Sequence, residues 1–313
     1  MSFSISGKTA IVTGAANGIG LAIGRHFAKE GANVMFADMD EDQLLREVGD
    51  DASRPSNVAY FAGDLRERLA QANLLSATID AFENVDILVN ASRQVVTSDP
   101  LDQEADNVEA LLQQNLMTSL RMTQLVAKRM IKQAKGQEDI LQAGTIINLS
   151  SIAARRTNPD MLAFSVSSAA LEQMTRSMAV ALAPERIRVN ALAFGSVMSC
   201  SLKDILKEHT DFRDALEGHT PMARIASAPE LAEAASKANK ILEEAATALS
   251  ERIPADKRPP ASMFSAHIWA MSHGVVELFA RGTPGTRSPY SPEDLLEAGI
   301  GIYLRGLGLI SND

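Results

Sequence analysis

Lys8-Thr9-Ala10-Ile11-Val12-Thr13-Gly14-Ala15-Ala16-Asn17-Gly18-Ile19-Gly20 is the stretch from which the fold can be read. Its first six residues form a short apolar run, the pattern of a strand buried on both faces. Glycines at 14, 18 and 20 follow, and then a helix is expected over 21–30. Glycine lets a backbone turn tightly and approach a pyrophosphate, which the free N–H groups of a helix N-terminus can hold. A glycine cluster alone says little. This one has a strand before it, a helix after it, and a second strand over 33–37 arriving on schedule. That strand ends at Asp38, eighteen residues after Gly20. An acid there accepts hydrogen bonds from a ribose 2′-OH and repels a 2′-phosphate, which favours NAD or NADH over NADP. The plainer alternative is a solvated aspartate at a strand end.

The pattern repeats along the chain. Val58 to Leu65 reads as a third strand closing at Asp64-Leu65, a helix follows over 69–82, and Val85 to Asn90 reads as a fourth strand. Gly144 to Asn148 reads as a buried fifth strand leading to the pair Ser150-Ser151. The alanine-rich run from Ala163 to Leu182 reads as a long helix starting near Phe164, and Ile187 to Leu192 as a sixth strand. A helix over about 105–130 contains Asn115, and the polar run 128–143 reads as a loop extension. Strands alternating with helices at this period predict an α/β fold with a doubly wound parallel, Rossmann-type sheet.

The bulk numbers narrow the function. The chain has 313 residues, 46% of them hydrophobic and 22% charged, and a formal net charge of −9. Acidity of this size argues against nucleic-acid binding, which needs a basic surface, and no Lys/Arg run is present. A single cysteine, Cys200, excludes an intrachain disulfide and a Cys-rich zinc site. The five histidines do not sit with acids at ligand spacing, so no metal site is expected. No apolar run reaches the roughly 18 residues of a membrane span, and the N-terminal residues show no signal-peptide pattern. A cytoplasmic location is expected.

Thr13-Gly14-x-x-x-Gly18-x-Gly20, Asp64, the Asn90 strand end and Ser151 occur in an order that resembles the classical short-chain dehydrogenase/reductases, over about residues 5–230. The resemblance implies a dinucleotide cofactor held on its ADP side by Gly14, Asn17, Gly18, Ile19, Gly20, Asp38, Asp64, Leu65 and Asn90, with Asp64 beside the adenine. It also implies that Ser151 steadies a substrate carbonyl and that Asn115 helps to hold a proton-relay water. The family's general acid/base is a tyrosine, whose position thirteen residues after Ser151 holds Phe164. The family's lysine, which lowers that tyrosine's pKa and holds the nicotinamide ribose, is replaced by Ser168. Asn-Asn-Ala-Gly after the fourth strand is here Asn90-Ala91-Ser92-Arg93, and the usual Pro-Gly after the sixth is Phe194-Gly195. The retained positions serve the ADP half, whereas Arg93, Phe164, Ser168 and Phe194 fall at the nicotinamide half. The bland explanation, relaxed selection throughout with the glycines and Asp38 kept for folding, stays open.

No other tyrosine is well placed to substitute, since Tyr60 lies in a distal strand and Tyr290 and Tyr303 in the C-terminal tail. Arg155 and Arg156 are near in sequence but guanidinium is a poor acid, and His219 is a remote candidate.

The last third departs from the family. No seventh strand is evident after Ile225; 229–251 reads as a polar helix, 253–260 as a Pro-interrupted linker, and 262–281 and 291–309 as helices. Trp269-Ala270-Met271-Ser272-His273-Gly274 resembles the Trp-x-x-x-His-Gly helix of the TetR-type regulator C-terminal domain. That resemblance implies dimerisation and a possible small-molecule ligand, without DNA recognition; core packing of Trp269 and His273 is the simpler account. The expected organisation is a short-chain dehydrogenase-like domain over 1–228 and a helical dimerisation or ligand domain over 229–313.

Three functions follow. The first is a degenerate dehydrogenase that binds NAD(H) or its ADP part and acts as a sensor, scaffold or partner subunit, assembled as a homodimer or tetramer. The second is a working NAD-dependent oxidoreductase on a ketone or secondary alcohol, with the proton delivered by water held through Ser151 and Asn115. The third is a small-molecule binder using the C-terminal helices.

Overall fold

The structure, a computed structural model, describes residues 5–52, 56–136, 142–157, 159–198 and 224–237, together with 213, 217–218 and 220. The chain divides into two units, Met1–Ser236 and Lys237–Asp313. The described residues belong to the first, apart from Lys237. Cys200, His219, Trp269, His273, Tyr290, Tyr303 and the expected C-terminal helices lie outside them.

Six strands form one parallel sheet: β1 (Thr9–Thr13), β2 (Asn33–Asp38), β3 (Val58–Ala62), β4 (Ile87–Asn90), β5 (Gly144–Ser151) and β6 (Ile187–Phe194), in the order β3-β2-β1-β4-β5-β6. Burial follows that order. Every residue of β1, β4 and β5 is buried, while β3 and β6 at the edges keep partial exposure. The continuous apolar runs of the sequence are thus the strands covered by helices on both faces. Within them, alternate residues go to opposite faces: Ile11, Met35, Leu88 and Ile146 join one core cluster, and Val12, Phe36, Val89 and Ile147 the other. Each fully buried side chain of this kind stabilises the fold by about 1.5–3 kcal/mol.

Helices α1 (Gly18–Lys29) and α2 (Glu41–Ala52) supply Ile23, Phe27, Leu44 and Val48 to the second cluster. Asp40 starts α2 by accepting the Gln43 N–H at 3.0 Å, followed by Glu41 and Asp42 in the first turn. Helix α3 (Arg68–Phe82) covers the opposite face with Leu74. The expected helix over 105–130 is instead three segments: α4 (Val108–Leu111), a wider π-helical stretch (Leu112–Met117) and α5 (Thr118–Ala134). Asn107, left-handed at φ 58°, sets its start. The polar run from 128 is therefore helical as far as Ala134, because Met130 and Ile131 pack into the core, and the loop is correspondingly shorter. Helix α6 (Leu162–Leu182) follows β5, which extends through the serine pair rather than stopping before it.

Beyond the sheet, β7 (Val197–Met198) and β8 (Ala226–Ser227) pair with each other. No seventh strand joins the main sheet among the described residues. Helix α7 (Ala228–Lys237) buries Ala232 and Ala235 in the same cluster as Val12 and Phe36. It belongs with the first unit, so the division of the chain falls one helix later than the 228/229 boundary read from sequence.

Candidate functional site

The C-terminal ends of the strands lie along one edge, and in such sheets ligands bind where the strand order reverses. Here the reversal falls between β1 and β4. On one side are the β1–α1 loop and the ends of β2 and β3. On the other are the segments after β4, β5 and β6.

The first side is built from backbone. Gly14 has φ +64°, and a Cβ on it would lie 2.7 Å from the Ser92 Cα and N. A Cβ on Gly20 would lie 2.1 Å from the Gly14 carbonyl oxygen. The loop can fold over the start of α1 only without these side chains. Asn17 occupies the N-cap position with an extended backbone and makes no side-chain cap. The first-turn N–H groups, at Gly18, Ile19 and Gly20, are therefore left without a capping side chain and suit an anion. Thr13 holds the arrangement in place, donating to the Val89 carbonyl at 3.4 Å and accepting from Ala91 and Ser92 N–H at 3.0 and 3.1 Å. Sequence reading assigned Thr13 no such task; a hydroxyl just before the first glycine was the available signal.

Asp38 sits at the end of β2 as expected, and its carboxylate accepts from the backbone N–H groups of Ala16 (3.1 Å), Met39 (2.7 Å) and Asp40 (3.2 Å). It braces the glycine loop. A carboxylate has about four acceptor positions, so one remains. Asp64 forms a bidentate pair with Arg66, at 2.6–3.0 Å, and that guanidinium holds its carboxyl below the usual range. Leu65 is buried, its carbonyl taken by Gln71. Asn90 turns its amide into the protein interior, donating to Asn148 Oδ1 (2.8 Å), Thr123 Oγ1 (3.2 Å) and the Ser119 carbonyl (3.4 Å). Its side chain ties β4 to β5 and α5.

The second side is built from side chains. Arg93 leaves the segment after β4 and donates to the Ser150 carbonyl at 2.8 Å and to Ser168 Oγ at 3.0 Å. Its guanidinium carbon lies 4.7 Å from the centre of the Phe164 ring and 6.0 Å from that of Phe194. The four departures noted in the sequence thus converge on one contact cluster. Phe164 and Ser168 are 6% and 1% exposed, so they are wall rather than surface. Arg93 as a residue is half-buried, but its Nε is shielded from solvent and has no hydrogen-bond partner. Burial alone pulls the guanidinium pKa down to about 10. The arginine therefore remains protonated at neutral pH.

Asn115 lies in the π-helical turn, where wider backbone often marks a functional position. Its Oδ1 accepts from Gln94 N–H at 2.9 Å, and its Nδ2 donates to the Gln94 carbonyl (3.0 Å) and Ser167 Oγ (3.2 Å). Ser151 Oγ accepts from Ala153 N–H at 3.2 Å. A buried acid missed in the sequence, Glu172, stands one turn beyond Ser168 on α6. It accepts from Ser150 Oγ at 3.2 Å and pairs with Arg155 at 3.3 Å.

Among the described residues, no group of three or more His, Cys, Asp or Glu could hold a metal, and no helix is long and apolar enough to cross a membrane.

A parallel sheet thus carries a glycine loop at its strand-order reversal, a serine at the end of β5 and an asparagine in the π-helical turn. The family profile described as enoyl-(acyl carrier protein) reductase matches residues 14–238. The chain belongs to that family, within the short-chain dehydrogenase/reductases. It is 29% identical over 232 residues to the 7alpha-hydroxysteroid dehydrogenase of Escherichia coli K12, covering 74% of this chain and 86% of that protein. It is 29% identical over 231 residues to the 3-oxoacyl-[acyl-carrier-protein] reductase FabG of Thermotoga maritima, covering 73% and 89%. The crystal structure of gox2181 superposes with a TM-score of 0.68 at 26% identity, covering 76% of this chain and 90% of that one. Members of the family bind NAD or NADP. The β1–β3 side suits the ADP part of such a cofactor, because the first-turn N–H groups of α1 have no capping side chain and Asp38 stands at the end of β2 with an acceptor position to spare.

Proposed function

We propose that this chain is a degenerate short-chain dehydrogenase that binds NAD(H), or its ADP part, and serves as a non-catalytic sensor, scaffold or partner subunit. The observation that carries this reading is the placement of the Arg93 guanidinium on Ser168 and Phe164. A bound dinucleotide supplies hydride, and the chain has to supply the proton. Phe164 has none to give. Arg93 keeps its proton at neutral pH, with its donors aimed at the Ser150 carbonyl and Ser168. Positioned proton transfer contributes typically 10²–10⁴-fold, and that contribution is removed. Asp38 favours NAD over NADP, using the acceptor position left over from the loop. The segment 237–313 is the dimerisation or ligand unit of a cytoplasmic homo-oligomer on this reading, which rests on the Trp269/His273 motif alone.

A working oxidoreductase is the competing reading, favoured by the retained Ser151 and Asn115 and by relatives named as dehydrogenases. Hydrogen-bond capacity weighs against it. Three of the four hydrogen-bonding positions of the Asn115 amide are already taken within the chain, which leaves little to hold a relay water. Calorimetric titration with ADP-ribose, together with NADH absorbance over a panel of ketones, separates the two. Binding without ketone-dependent NADH consumption is expected. No binding at millimolar ADP-ribose ends the first reading, and turnover by the unmodified chain establishes the second.

A further inference from the structure

Arg93 carries a charge that the described structure does not balance. Its partners are a carbonyl, a hydroxyl and two aromatic rings, and its Nε has none. No described carboxylate lies within ion-pair distance of it. Glu172, the acid closest to it along α6, is engaged by Ser150 Oγ, Arg155 and, at 4.0 Å, Arg176. Burying a charge without a counter-charge is costly, and interactions between enclosed charges are screened far less than those on a surface.

The place of this cation in the fold gives it a consequence for ligand choice. A dinucleotide held by the glycine loop lies across the reversal between β1 and β4, with its two halves on opposite sides. Asp38 stands on the β2 side, so the nicotinamide half falls on the side of Arg93, Phe164 and Phe194. The oxidised ring carries a positive charge and the reduced ring carries none, while the ADP parts are identical.

We infer that Arg93 makes this site select the reduced dinucleotide over the oxidised one, through repulsion between its buried guanidinium and the cationic ring. The inference rests on the proposed reading that the ADP half is held by the glycine loop, and it specifies what a sensor at this site senses. Occupancy then follows the ratio of reduced to oxidised cofactor. ADP-ribose, which lacks the ring, escapes the repulsion.

The test is calorimetric titration of the full chain with NADH, NAD and ADP-ribose in separate experiments. NADH is expected to bind roughly tenfold or more tightly than NAD, the order of effect an enclosed like-charge contact produces. In Arg93→Gln the two affinities are expected to converge to within about twofold, with ADP-ribose unchanged, and in Arg93→Lys the preference is expected to persist. Equal affinity of the unmodified chain for NADH and NAD, with ADP-ribose bound, overturns the inference and leaves nucleotide binding standing. A preference that survives in Arg93→Gln also overturns it. Absence of binding by all three ligands removes the proposed function itself, and the inference with it. The measurement on the unmodified chain decides the matter even where a variant does not fold.

Discussion

On the β1–β3 side of the strand-order reversal the groove is made of backbone, and on the β4–β6 side it is made of side chains. The first side depends on atoms that are absent, at Gly14 and Gly20, and on N–H groups that every residue but proline carries. Its acid at the end of β2, Asp38, braces the loop. The second side depends on what its residues are. Arg93, Phe164, Ser168 and Phe194, which the sequence reading takes as exchanges of the family's glycine, tyrosine, lysine and proline, meet around the Arg93 guanidinium. On the proposed reading the chain loses its chemistry on one side while the other stays intact, because the requirements of folding and of nucleotide binding coincide only on the first.

The largest effect expected from this contrast lies at Gly20. Gly20→Ala places a Cβ 2.1 Å from the Gly14 carbonyl oxygen, and backbone rather than a flexible side chain has to move. Overpacking of this kind costs about 1–3 kcal/mol, and on the proposed reading it displaces the N–H groups that hold the phosphates. Urea denaturation is expected to show a loss at the upper end of that range, and calorimetry a loss of ADP-ribose binding of about 100-fold or more. Near-parental affinity in a folded Gly20→Ala protein breaks the claim that backbone holds the ligand.

The second side is sharpened by restoring its chemistry in steps. Phe164→Tyr with Ser168→Lys returns the family's pair but sets an ammonium against Arg93, which lies 3.0 Å from Ser168 Oγ. Two enclosed like charges repel, so this double variant is expected to be less stable than its parent and no more active. Adding Arg93→Gly removes the cation and restores the family residue. The triple variant is expected to reduce ketones at a rate about 10²-fold above the double one, the lower end of what proton transfer contributes. Equal activity in the two would show that Arg93 does not block the site.

These differences also explain what could be read from sequence. The sheet was legible because the central strands are continuous apolar runs and the helices between them keep one period, so local pattern and global fold agree. The glycine loop was legible because its residues act through spacing. Side-chain partners were not: nothing in the letters shows that Asn90 faces Asn148 and Thr123 in the interior, or that Asp38 accepts from Ala16. The sequence marked Arg93, Phe164, Ser168 and Phe194 as departures, the first and last of them 101 positions apart. Only the fold brings them together and sets a cation from the segment after β4 against Ser168 on α6. Glu172 was hidden in an alanine-rich helix, where its burial depends on Ser150 and Arg155 from elsewhere in the chain.

The smallest effect expected is an absence of change, and it separates Arg93 from other causes of selectivity. Burial lowers the Arg93 pKa from the ordinary guanidinium value to about 10. In the folded state the charge is thus held at neutral pH and lost as pH rises through about 10, whereas the unfolded chain loses its proton only near the higher, ordinary guanidinium value. The unfolded state therefore binds more protons between those values, and the burial penalty is constant below them and relieved as pH rises through them. The groups that face the guanidinium are Phe164 and Ser168 from α6, Ser150 from β5 and Phe194 from β6, and none titrates near neutrality. Glu172, one turn along α6, is held by two arginines. The NADH-to-NAD affinity ratio is accordingly expected to stay level from about pH 6 to about pH 9. A ratio that changes with a midpoint near neutrality would assign the selectivity to a histidine or a carboxylate instead, and would break the link between the side-chain half of the groove and the charge of the ring.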